Sequence, residues 1–379
     1  MQTEQTRWIQ GKGWMPAEGP GKLGASAQLV LLFGSPACLK QSAWQDDIRA
    51  AYPHAHRLGC STAGEIFGTE VADETLVATA IAFEHTRLQG ASLRLGEVGH
   101  SFQAGERLAK SLPAEGLVHV LVISDGQNVN GSDLVAGLIG HLPAGVTLTG
   151  GLAGDGDRFQ ETLVLWDAPP EPNAIAVLGL YGDRIKVGFG SLGGWDAFGP
   201  ERLITRSVGN ILYELDGQPA LSLYKKYLGE YAKDLPASGL LFPLSLRTES
   251  GESIVRTILG VNEAAHSLTF AGDLPQGGHA RLMKANFDRL IDGAVGAAQT
   301  SFEAMGSTSP EFALLISCVG RKLVLKQRIE EEVEGVRDVL GAGTALAGFY
   351  SYGEISPFNP SAKCELHNQT MTITTFSER

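Results

Sequence analysis

Three short runs of branched apolar residues recur along the chain, and each predicts a strand that is buried on both faces. Each run ends in a turn of small or polar residues, and a stretch with helical character follows it. The runs are LVLLF (Leu29–Phe33), VHVLVI (Val118–Ile123) and FALLI (Phe312–Ile316). The repeated order of strand, turn and helix predicts βαβ units and an α/β fold with mixed sheets.

Each unit contains a further predicted strand downstream of its helix. These strands are Leu76–Phe83, Ala174–Leu180 and Thr370–Phe376. The second of them leads through Tyr181-Gly182-Asp183 into a predicted hairpin with Arg184–Phe189. The third alternates threonine with apolar residues, which is typical of a strand with one exposed face.

A glycine-rich segment with an acidic residue, here called a signature, follows the helix of each unit. The first signature reads GCSTAGEI (Gly59–Ile66), the third reads GFYSYGEI (Gly348–Ile355), and a weaker second copy reads GGLAGD (Gly150–Asp155). Because α/β proteins place ligands at the carboxyl ends of their strands, we expect Glu65, Asp155 and Glu354 to line one pocket and to bind an amine or a polar head group. The alternative is that each acid caps a helix or a turn.

The composition is that of a folded globular protein. Apolar residues make up 43% of the 379 positions and charged residues 19%, which is enough for two domains with their own cores. The formal charge of −12 argues against nucleic acid as a partner, because phosphate binding requires a basic face. The sequence shows no apolar run long enough for a membrane helix and no secretory signal. We therefore expect a soluble cytoplasmic protein without membrane insertion.

Cysteine and histidine chemistry is the first alternative to simple binding. The four cysteines, Cys38, Cys60, Cys318 and Cys364, are too far apart for a disulfide framework or a CxxC metal site. Cys60 and Cys318 follow predicted strands, which leaves open an enzyme with a cysteine nucleophile. His56 precedes Cys60 by four positions in an extended segment, roughly 13 Å at the rise of a strand, so the two are not in contact. The histidines show no metal-ligand spacing, and no dinucleotide fingerprint or P-loop is present.

Further candidates for ligand contact lie outside the signatures. Trp195 follows two glycines after a predicted strand, where it packs against either a ligand or the core. Arg321 carries a planar guanidinium that fits a carboxylate, either of a ligand or of another side chain. His367 and Asn368 open the segment before the last strand, and His367 is either a pocket residue or a loop histidine bonded to the backbone.

Six segments carry a further resemblance, in the order Gly59–Ile66, Leu148–Gly156, Val208–Leu228, Leu314–Leu325, Ala347–Ile355 and Leu366–Thr374. In this order they resemble the FIST sensory family, whose N-terminal and C-terminal regions together cover nearly the whole chain. The resemblance implies two FIST-like α/β domains, residues 25–217 and 218–379, after an N-terminal segment of residues 1–24. The texture of the sequence changes near this boundary, where Asp216-Gly217 precedes a predicted helix at Pro219–Leu228.

The resemblance implies a sensory module of bacterial signal transduction that binds an amino acid or a similar small polar molecule. Because the two regions fill the chain, the module is expected to signal through a separate partner such as a histidine kinase, a diguanylate cyclase or a chemotaxis protein. One branch of the family binds haem, senses nitric oxide and regulates a histidine kinase or a cyclic-di-GMP enzyme. This sequence has Gly193-Gly194-Trp195 where that branch carries a histidine. No cofactor is therefore expected, and haem held by His367 or His56 is the alternative.

The residues expected to contact the ligand belong to the three signatures or to the segments just described, and none is expected to be catalytic. They are Gly59, Cys60, Ser61, Thr62, Gly64, Glu65, Gly150, Gly151, Gly154, Asp155, Trp195, Cys318, Arg321, Tyr350, Tyr352, Gly353, Glu354, His367 and Asn368.

Overall fold

The chain folds into a mixed α/β architecture with several mixed sheets, as the apolar pattern predicts. The computed structural model describes residues 1–247, 253–306, 308–358 and 362–378. Three repeat units follow one another along the chain, and a separate sheet is inserted within the third. Among the described residues, no helix combines the length and the apolar character that crossing a membrane requires.

Each of the first two units is continuous in sequence. The first contains β1 (Gln2–Ile9), β2 (Gly13–Met15), β3 (Leu29–Gly34), α1 (Pro36–Leu39), α2 (Ala43–Ala51), β4 (His56–Ser61), β5 (Glu65–Phe67), β6 (Glu70–Ala72) and β7 (Thr75–Ala82). The second contains β8 (Arg87–Arg94), α3 (Ser101–Ser111), β9 (Leu117–Ser124), α4 (Gly131–Ile139), β10 (Thr147–Leu152), β11 (Val164–Trp166) and β12 (Ala174–Tyr181).

The third unit is interrupted by the inserted segment. Its first strand is β13 (Ile185–Leu192), and the inserted elements are β14 (Asp196–Val208), β15 (Ile211–Leu215), β16 (Gln218–Pro219), α5 (Ala220–Leu228), β17 (Leu244–Arg247), β18 (Ser253–Arg256), β19 (Ile258–Asn262), β20 (Ser267–Phe270) and β21 (His279–Lys284). The unit then continues with α6 (Phe287–Ala304), β22 (Phe312–Cys318), α7 (Val319–Leu325), α8 (Ile329–Leu340), β23 (Ala345–Ser351), β24 (Gly353–Pro357), β25 (Cys364–His367) and β26 (Met371–Glu378). The strands predicted at the apolar runs are confirmed as β3, β9 and β22, and the predicted helix is confirmed as α5.

Five strands follow one order in the sheets of all three units, so the sequence repeats are structural repeats. The orders are β11-β4-β3-β7-β1, β24-β10-β9-β12-β8 and β5-β23-β22-β26-β13. The sixth strand of each sheet lies at an edge and is β2 beside β1, β25 beside β24 and β6 beside β5. In each sheet the two strands of the βαβ unit are parallel, and a third strand runs antiparallel beside the first. Each unit also extends into the sheet of another through a short strand: β5 joins β23, β11 joins β4 and β24 joins β10. The strands β6 and β25 follow β5 and β24 into those sheets. These exchanges link the three units in a closed cycle.

The central strands are apolar throughout because their two faces meet two different apolar layers. Phe33, Ile123 and Ile316 occupy the same position in the three sheets and belong to one cluster shared by all of them. On the opposite face, Leu32 packs against Trp44 of α2. The space between the sheets is filled, since the cavity that remains there measures about 10 Å³, about the room of one water molecule. In the described part of the chain, the centre of the repeat body is therefore a packed core.

The prediction that the last strand has one exposed face is wrong. Every residue of β26 is buried, because β13 pairs along it and α6 packs against both strands. The hydroxyl of Thr372 hydrogen-bonds to that of Ser191 (2.9 Å), and the hydroxyl of Thr374 donates to that of Thr149 (2.9 Å). The alternating threonines thus bond to neighbouring strands instead of facing water.

The inserted segment forms a fourth sheet with a core of its own. Its described strands run in the order β18-β17-β21-β14-β15-β20-β19, and β16 pairs with β15. Leu221 and Tyr224 of α5 pack against this sheet beside Phe270. Strands from both sides of residue 217 belong to this sheet, and the division of the sequence at that residue stays a prediction.

Candidate functional site

The three signatures meet at one end of the repeat body, at the carboxyl ends of the parallel strands. The N–H of Gly154 in the second signature donates to the carbonyl of Ser61 in the first (2.8 Å). The N–H of Ala63 in the first donates to the carbonyl of Tyr350 in the third (2.8 Å), and the third is bonded to the second in the same way. The structure therefore brings the predicted segments together, but they bond to one another and do not surround an open pocket.

The first glycine of each signature is required by the close approach of two parallel strands. A Cβ added at Gly59, Gly150 or Gly348 would lie 2.0, 1.8 or 1.8 Å from a carbonyl oxygen of the neighbouring strand. The other glycines predicted as site residues are also tightly packed: Gly64, Gly151, Gly154 and Gly353. Packing inside the fold is sufficient to explain why these glycines recur.

Glu65 is buried and anchors the third strand of its unit. One carboxylate oxygen accepts from the hydroxyl of Thr62 (2.5 Å), and the other accepts from the N–H and the hydroxyl of Thr75 (3.1 and 2.8 Å). Burial raises the pKa of Glu65 to about 7, although these hydrogen bonds oppose the rise.

Glu354 makes the same contacts in the third unit. It accepts from the hydroxyl of Ser351 (2.6 Å) and from the N–H and the hydroxyl of Thr370 (3.2 and 3.0 Å). Burial raises the pKa of Glu354 to about 8, again against the effect of the hydrogen bonds. The recurrence of Glu65 and Glu354 thus corresponds to a shared anchoring role at the start of β7 and β26.

Asp155 does not occupy the position of these glutamates. The register of the exchanged strands places Val164 of the second unit where the others have Glu65 and Glu354. Asp155 instead holds the loop that follows it, because its carboxylate bonds to Arg158 (2.8 Å) and accepts two backbone N–H groups of the next turn. The second unit therefore has valine, and not an acid, at the position that Glu65 and Glu354 occupy in the other two units.

Asp125 performs the anchoring role in the second unit, and the sequence did not single it out. Its carboxylate accepts from the N–H of Asn173 (3.2 Å) and the hydroxyl of Thr162 (2.6 Å). It also accepts from the N–H groups of Gln127 and Asn128 (3.0 and 2.7 Å). Asp125 thereby fixes the loop between β9 and α4 to the start of β12.

Arg321 forms a buried ion pair inside the third unit. Its Nε and Nη2 donate to one carboxylate oxygen of Glu332 at 3.1 and 2.7 Å, and both side chains are 0% exposed. The guanidinium also donates to the carbonyls of Leu290 (2.6 Å) and Gly193 (2.5 Å), and Glu332 accepts from the hydroxyl of Tyr350 (2.7 Å). These contacts favour a structural role for Arg321 and Tyr350 over binding of a ligand.

The thiols considered as nucleophiles are both buried. Burial raises the pKa of Cys60 and of Cys318 far above neutrality, and the nearby Glu354 carboxylate adds to the effect on Cys318. His56 and Cys60 lie in the same extended strand, β4, as the spacing predicted. The described residues place no side-chain base in hydrogen-bond contact with either sulfur, and this environment disfavours a thiolate.

The histidines considered for haem are engaged with protein groups. His367 is buried, its Nε2 lies 2.6 Å from the carbonyl oxygen of Ser356, and burial lowers its pKa to about 4. His56 lies 2.7 Å from Asp167 and stacks on Trp166. The two histidines lie in different parts of the fold, and these surroundings do not fit haem ligation.

Trp195 and Asn368 are packed beside the third unit. The indole Nε1 of Trp195 donates to the carbonyl of Gln369 (2.9 Å), and its ring lies in a small apolar cluster with Leu290. The amide of Asn368 donates to the carbonyl of Tyr352 (3.5 Å). Both side chains are buried.

A cleft of about 340 Å³ lies between the second unit and the inserted sheet. One wall is the loop Gly126–Gly131, which connects β9 to the start of α4, and the opposite wall is formed by Asn210, Leu259 and Phe270–Asp273. Leu152, Phe159 and Tyr352 complete the lining. In the described part of the chain, Tyr352 is the residue of the predicted site that lines this cleft.

The loop on the second unit is shaped by its own sequence. A Cβ at Gly126 would lie 2.0 Å from the carbonyl oxygen of Ala153, so glycine is needed there, and its N–H donates to the hydroxyl of Thr162 (3.0 Å). Asn130 caps α4 by accepting from the N–H of Asp133 (3.1 Å). The fixed backbone leaves the side chains of residues 127 and 128 exposed beside the cleft.

The cleft combines amide groups, one carboxylate and an aromatic wall. The amide side chains belong to Gln127, Asn128, Asn130 and Asn210, and amides both donate and accept hydrogen bonds. Asp273 supplies the carboxylate, which accepts from the amide of Asn130 across the cleft (3.5 Å). The rings of Phe159 and Tyr352 are stacked, with centroids 4.4 Å apart. The volume and the mixture of groups are typical of a small-molecule site.

Comparison with known families places this chain in a sensory family. Residues 28–218 match the FIST N domain, and residues 220–357 match the FIST C domain. The chain belongs to the FIST family. FIST domains are sensory domains of signal transduction, and the resemblance noted in the sequence segments is confirmed.

Relatives of this FIST protein say little about the ligand. An uncharacterised protein of Methanocaldococcus jannaschii is 25% identical over 224 residues, which are 55% of this chain and 41% of that protein. The match therefore spans less than half of the relative's length. The solved structure of cyanuric acid hydrolase from A. caulinodans aligns over 100% of the FIST protein and 99% of the hydrolase, with a TM-score of 0.34 and 9% identity.

Proposed function

We propose that this FIST protein senses a small polar molecule that carries an amino group, such as an amino acid, in the cleft between the second unit and the inserted sheet. The observation that supports the proposal is the lining of the cleft, where four amide side chains, one carboxylate and two stacked rings surround about 340 Å³. Hydrophobic walls with a few polar groups are the usual composition of small-ligand sites.

Each part of an amino acid has a counterpart in this lining. The carboxylate of Asp273 and the amide oxygens of the loop accept hydrogen bonds from an ammonium group. Gly131 lines the cleft and begins α4, and the positive end of a helix favours a carboxylate. The rings of Phe159 and Tyr352 provide an apolar surface for a side chain.

The position of the cleft suits a sensor because its two walls belong to different parts of the fold. The second unit supplies Asn130 and the inserted sheet supplies Asp273. A ligand that bonds to both walls stabilises the conformation in which the walls are closest and so raises its population. A partner protein that binds this conformation then responds to the ligand. We propose that the partner is a histidine kinase, a diguanylate cyclase or a chemotaxis protein.

We also propose that the protein binds its ligand without transforming it. The buried thiols of Cys60 and Cys318 have raised pKa values, and the buried signature acids are occupied by hydroxyl and N–H donors of their own units.

A thermal-shift screen of the purified protein against the standard amino acids tests the proposal. At least one amino acid is expected to raise the melting temperature, because a ligand at a hundred times its dissociation constant adds about 2.7 kcal/mol to the free energy of unfolding. Succinate and acetate, which lack an amino group, serve as comparators and are expected to give no shift. Shifts with these acids and none with amino acids would contradict the proposal.

A further inference from the structure

The described residues that line the cleft include one carboxylate, that of Asp273, and no lysine or arginine. We infer that the site selects ligands that carry a positive charge, and that the charged group of the ligand lies between the Asp273 carboxylate and the ring face of Phe159. The inference rests on the proposed function and names the chemical class that the same cleft takes: ammonium and guanidinium compounds. It makes Asp273 the residue that determines charge preference and Phe159 the residue that supplies the aromatic surface.

The carboxylate of Asp273 is not neutralised by a cation that lines the cleft. The lining residues in the described part of the chain include no lysine and no arginine. Arg256 lies behind Gly272, is buried, and donates to the backbone carbonyls of Asp273 (3.3 Å) and Leu366 (2.9 Å). The Arg256 guanidinium interacts electrostatically with the Asp273 carboxylate. Its hydrogen bonds named here go to backbone carbonyls, which leaves the carboxylate oxygens of Asp273 to groups in the cleft.

The cation nearest to the aromatic wall is also paired. Arg158 precedes Phe159, and its guanidinium forms ion pairs with Asp155 (2.7 Å) and Glu74 (3.1 Å). The charge of Arg158 is therefore matched by two carboxylates that do not line the cleft.

Phe159 is held at the cleft in a backbone conformation that a bulky residue seldom adopts. Its φ is 52°, in the left-handed region, which is strained for a residue other than glycine. Its N–H donates to the hydroxyl of Tyr352 (3.2 Å), which itself donates to the carbonyl of Gly156 (3.2 Å). The ring is 39% exposed. The network thus maintains a strained backbone that presents an aromatic ring to solvent at the cleft.

An aromatic face and a carboxylate at one site are the two elements that bind cations best. The ring quadrupole attracts an ammonium or guanidinium group placed over its face, and the carboxylate forms a charge-assisted hydrogen bond with the same group. The formal charge of −12 for the chain raises the local concentration of cations. An uncharged analogue of the same shape gains neither interaction.

N-acetylation of the ligand tests the inference on the unaltered protein, because it removes the ammonium charge from an amino acid and keeps the rest of the molecule. Thermal shifts are measured with each standard amino acid and with its N-acetyl derivative. Every amino acid that raises the melting temperature is expected to lose most of its shift when acetylated. Equal shifts for an amino acid and its N-acetyl form would overturn the inference and leave the proposed function standing, whereas no shift with any amino acid would overturn both.

Two substitutions assign the effect to the residues named. Asp273→Asn is expected to raise the dissociation constant of the best-binding amino acid by about 30-fold or more, since it removes one partner of a charged pair. Phe159→Leu keeps an apolar side chain and is expected to raise it by about 3- to 10-fold. Asp183→Asn, an exposed change in the turn between β12 and β13, is the matched control and is expected to leave binding unchanged. Equal affinities for Asp273→Asn and Asp183→Asn would overturn the role of Asp273.

Discussion

Replacing Arg321 with alanine is expected to lower the free energy of unfolding by about 3–5 kcal/mol, because it leaves the carboxylate of Glu332 buried without its counter-charge. Glu332 is 0% exposed, and it faces Arg321 at 2.7 Å. The carbonyls of Leu290 and Gly193 lose their donors in the same variant. Urea unfolding followed by far-ultraviolet circular dichroism measures the change.

Two comparisons make this expectation specific to the buried pair. Lys233→Ala breaks an ion pair with Glu230 whose side chains are 74% and 88% exposed, and it is expected to change stability by less than about 1 kcal/mol. The double variant Arg321→Met with Glu332→Leu removes both charges and is expected to recover much of the loss. Similar losses for Arg321→Ala and Lys233→Ala would contradict the assignment of a buried pair.

Replacing Glu354 with glutamine is expected to stabilise the protein at pH 8, by up to about 4 kcal/mol, and to change its stability far less at pH 5. The pKa of Glu354 is about 8 in the folded protein against 4.5 ordinarily, so the folded state keeps a proton that the unfolded state releases. The contribution to stability is complete below pH 4.5 and is lost as the pH rises through 8, with a slope of up to about 1.4 kcal/mol per pH unit. Glutamine keeps an oxygen that accepts from the N–H and the hydroxyl of Thr370, and its NH₂ group donates to the hydroxyl of Ser351, without a charge. Melting temperatures of both proteins from pH 5 to pH 8 measure the effect.

Glu4→Gln provides the opposite control. Burial alone would raise the pKa of Glu4, but the N–H groups of Lys22, Leu23 and Gly21 outweigh it and lower the pKa. The contribution of Glu4 is therefore present above its ordinary pKa and is lost as the pH falls through the lowered one. Glu4→Gln is expected to destabilise the protein at pH 7 and above. If Glu354→Gln also destabilised it across the whole range, the raised pKa of Glu354 would be wrong.

Much of the fold could be predicted from the sequence because it depends on local patterns. Continuous apolar runs such as Leu29–Phe33 identify strands with two buried faces, and proline and glycine at the ends of α5 fix its limits. The exchange of short strands between units could not be predicted, because strands such as β5 span three residues and carry no periodic signal. The burial of β26 was misjudged for a related reason, since its threonines bond across strands to partners far away in sequence.

The candidate site was predicted only in part. The sequence located the signatures correctly at the carboxyl ends of the strands, but it could not show that Glu65 and Glu354 bond within their own units. The loop Gly126–Gly131 lies between a buried strand and a helix and reads GQNVNG, a signal for a ligand loop that was available. The other wall, which contains Asp273, depends on how the inserted sheet packs on the second unit, and such packing leaves no pattern in the sequence.

The central claim is that a small amine binds in the cleft between the second unit and the inserted sheet. Isothermal titration calorimetry with the amino acid that gives the largest thermal shift tests this claim most directly. Wild type is compared with two variants. Ala271→Phe fills the cleft, and Ala264→Phe places the same ring in the exposed turn between β19 and β20. Binding is expected to be retained in wild type and Ala264→Phe and to be lost in Ala271→Phe. Equal affinity in all three proteins would contradict the claim.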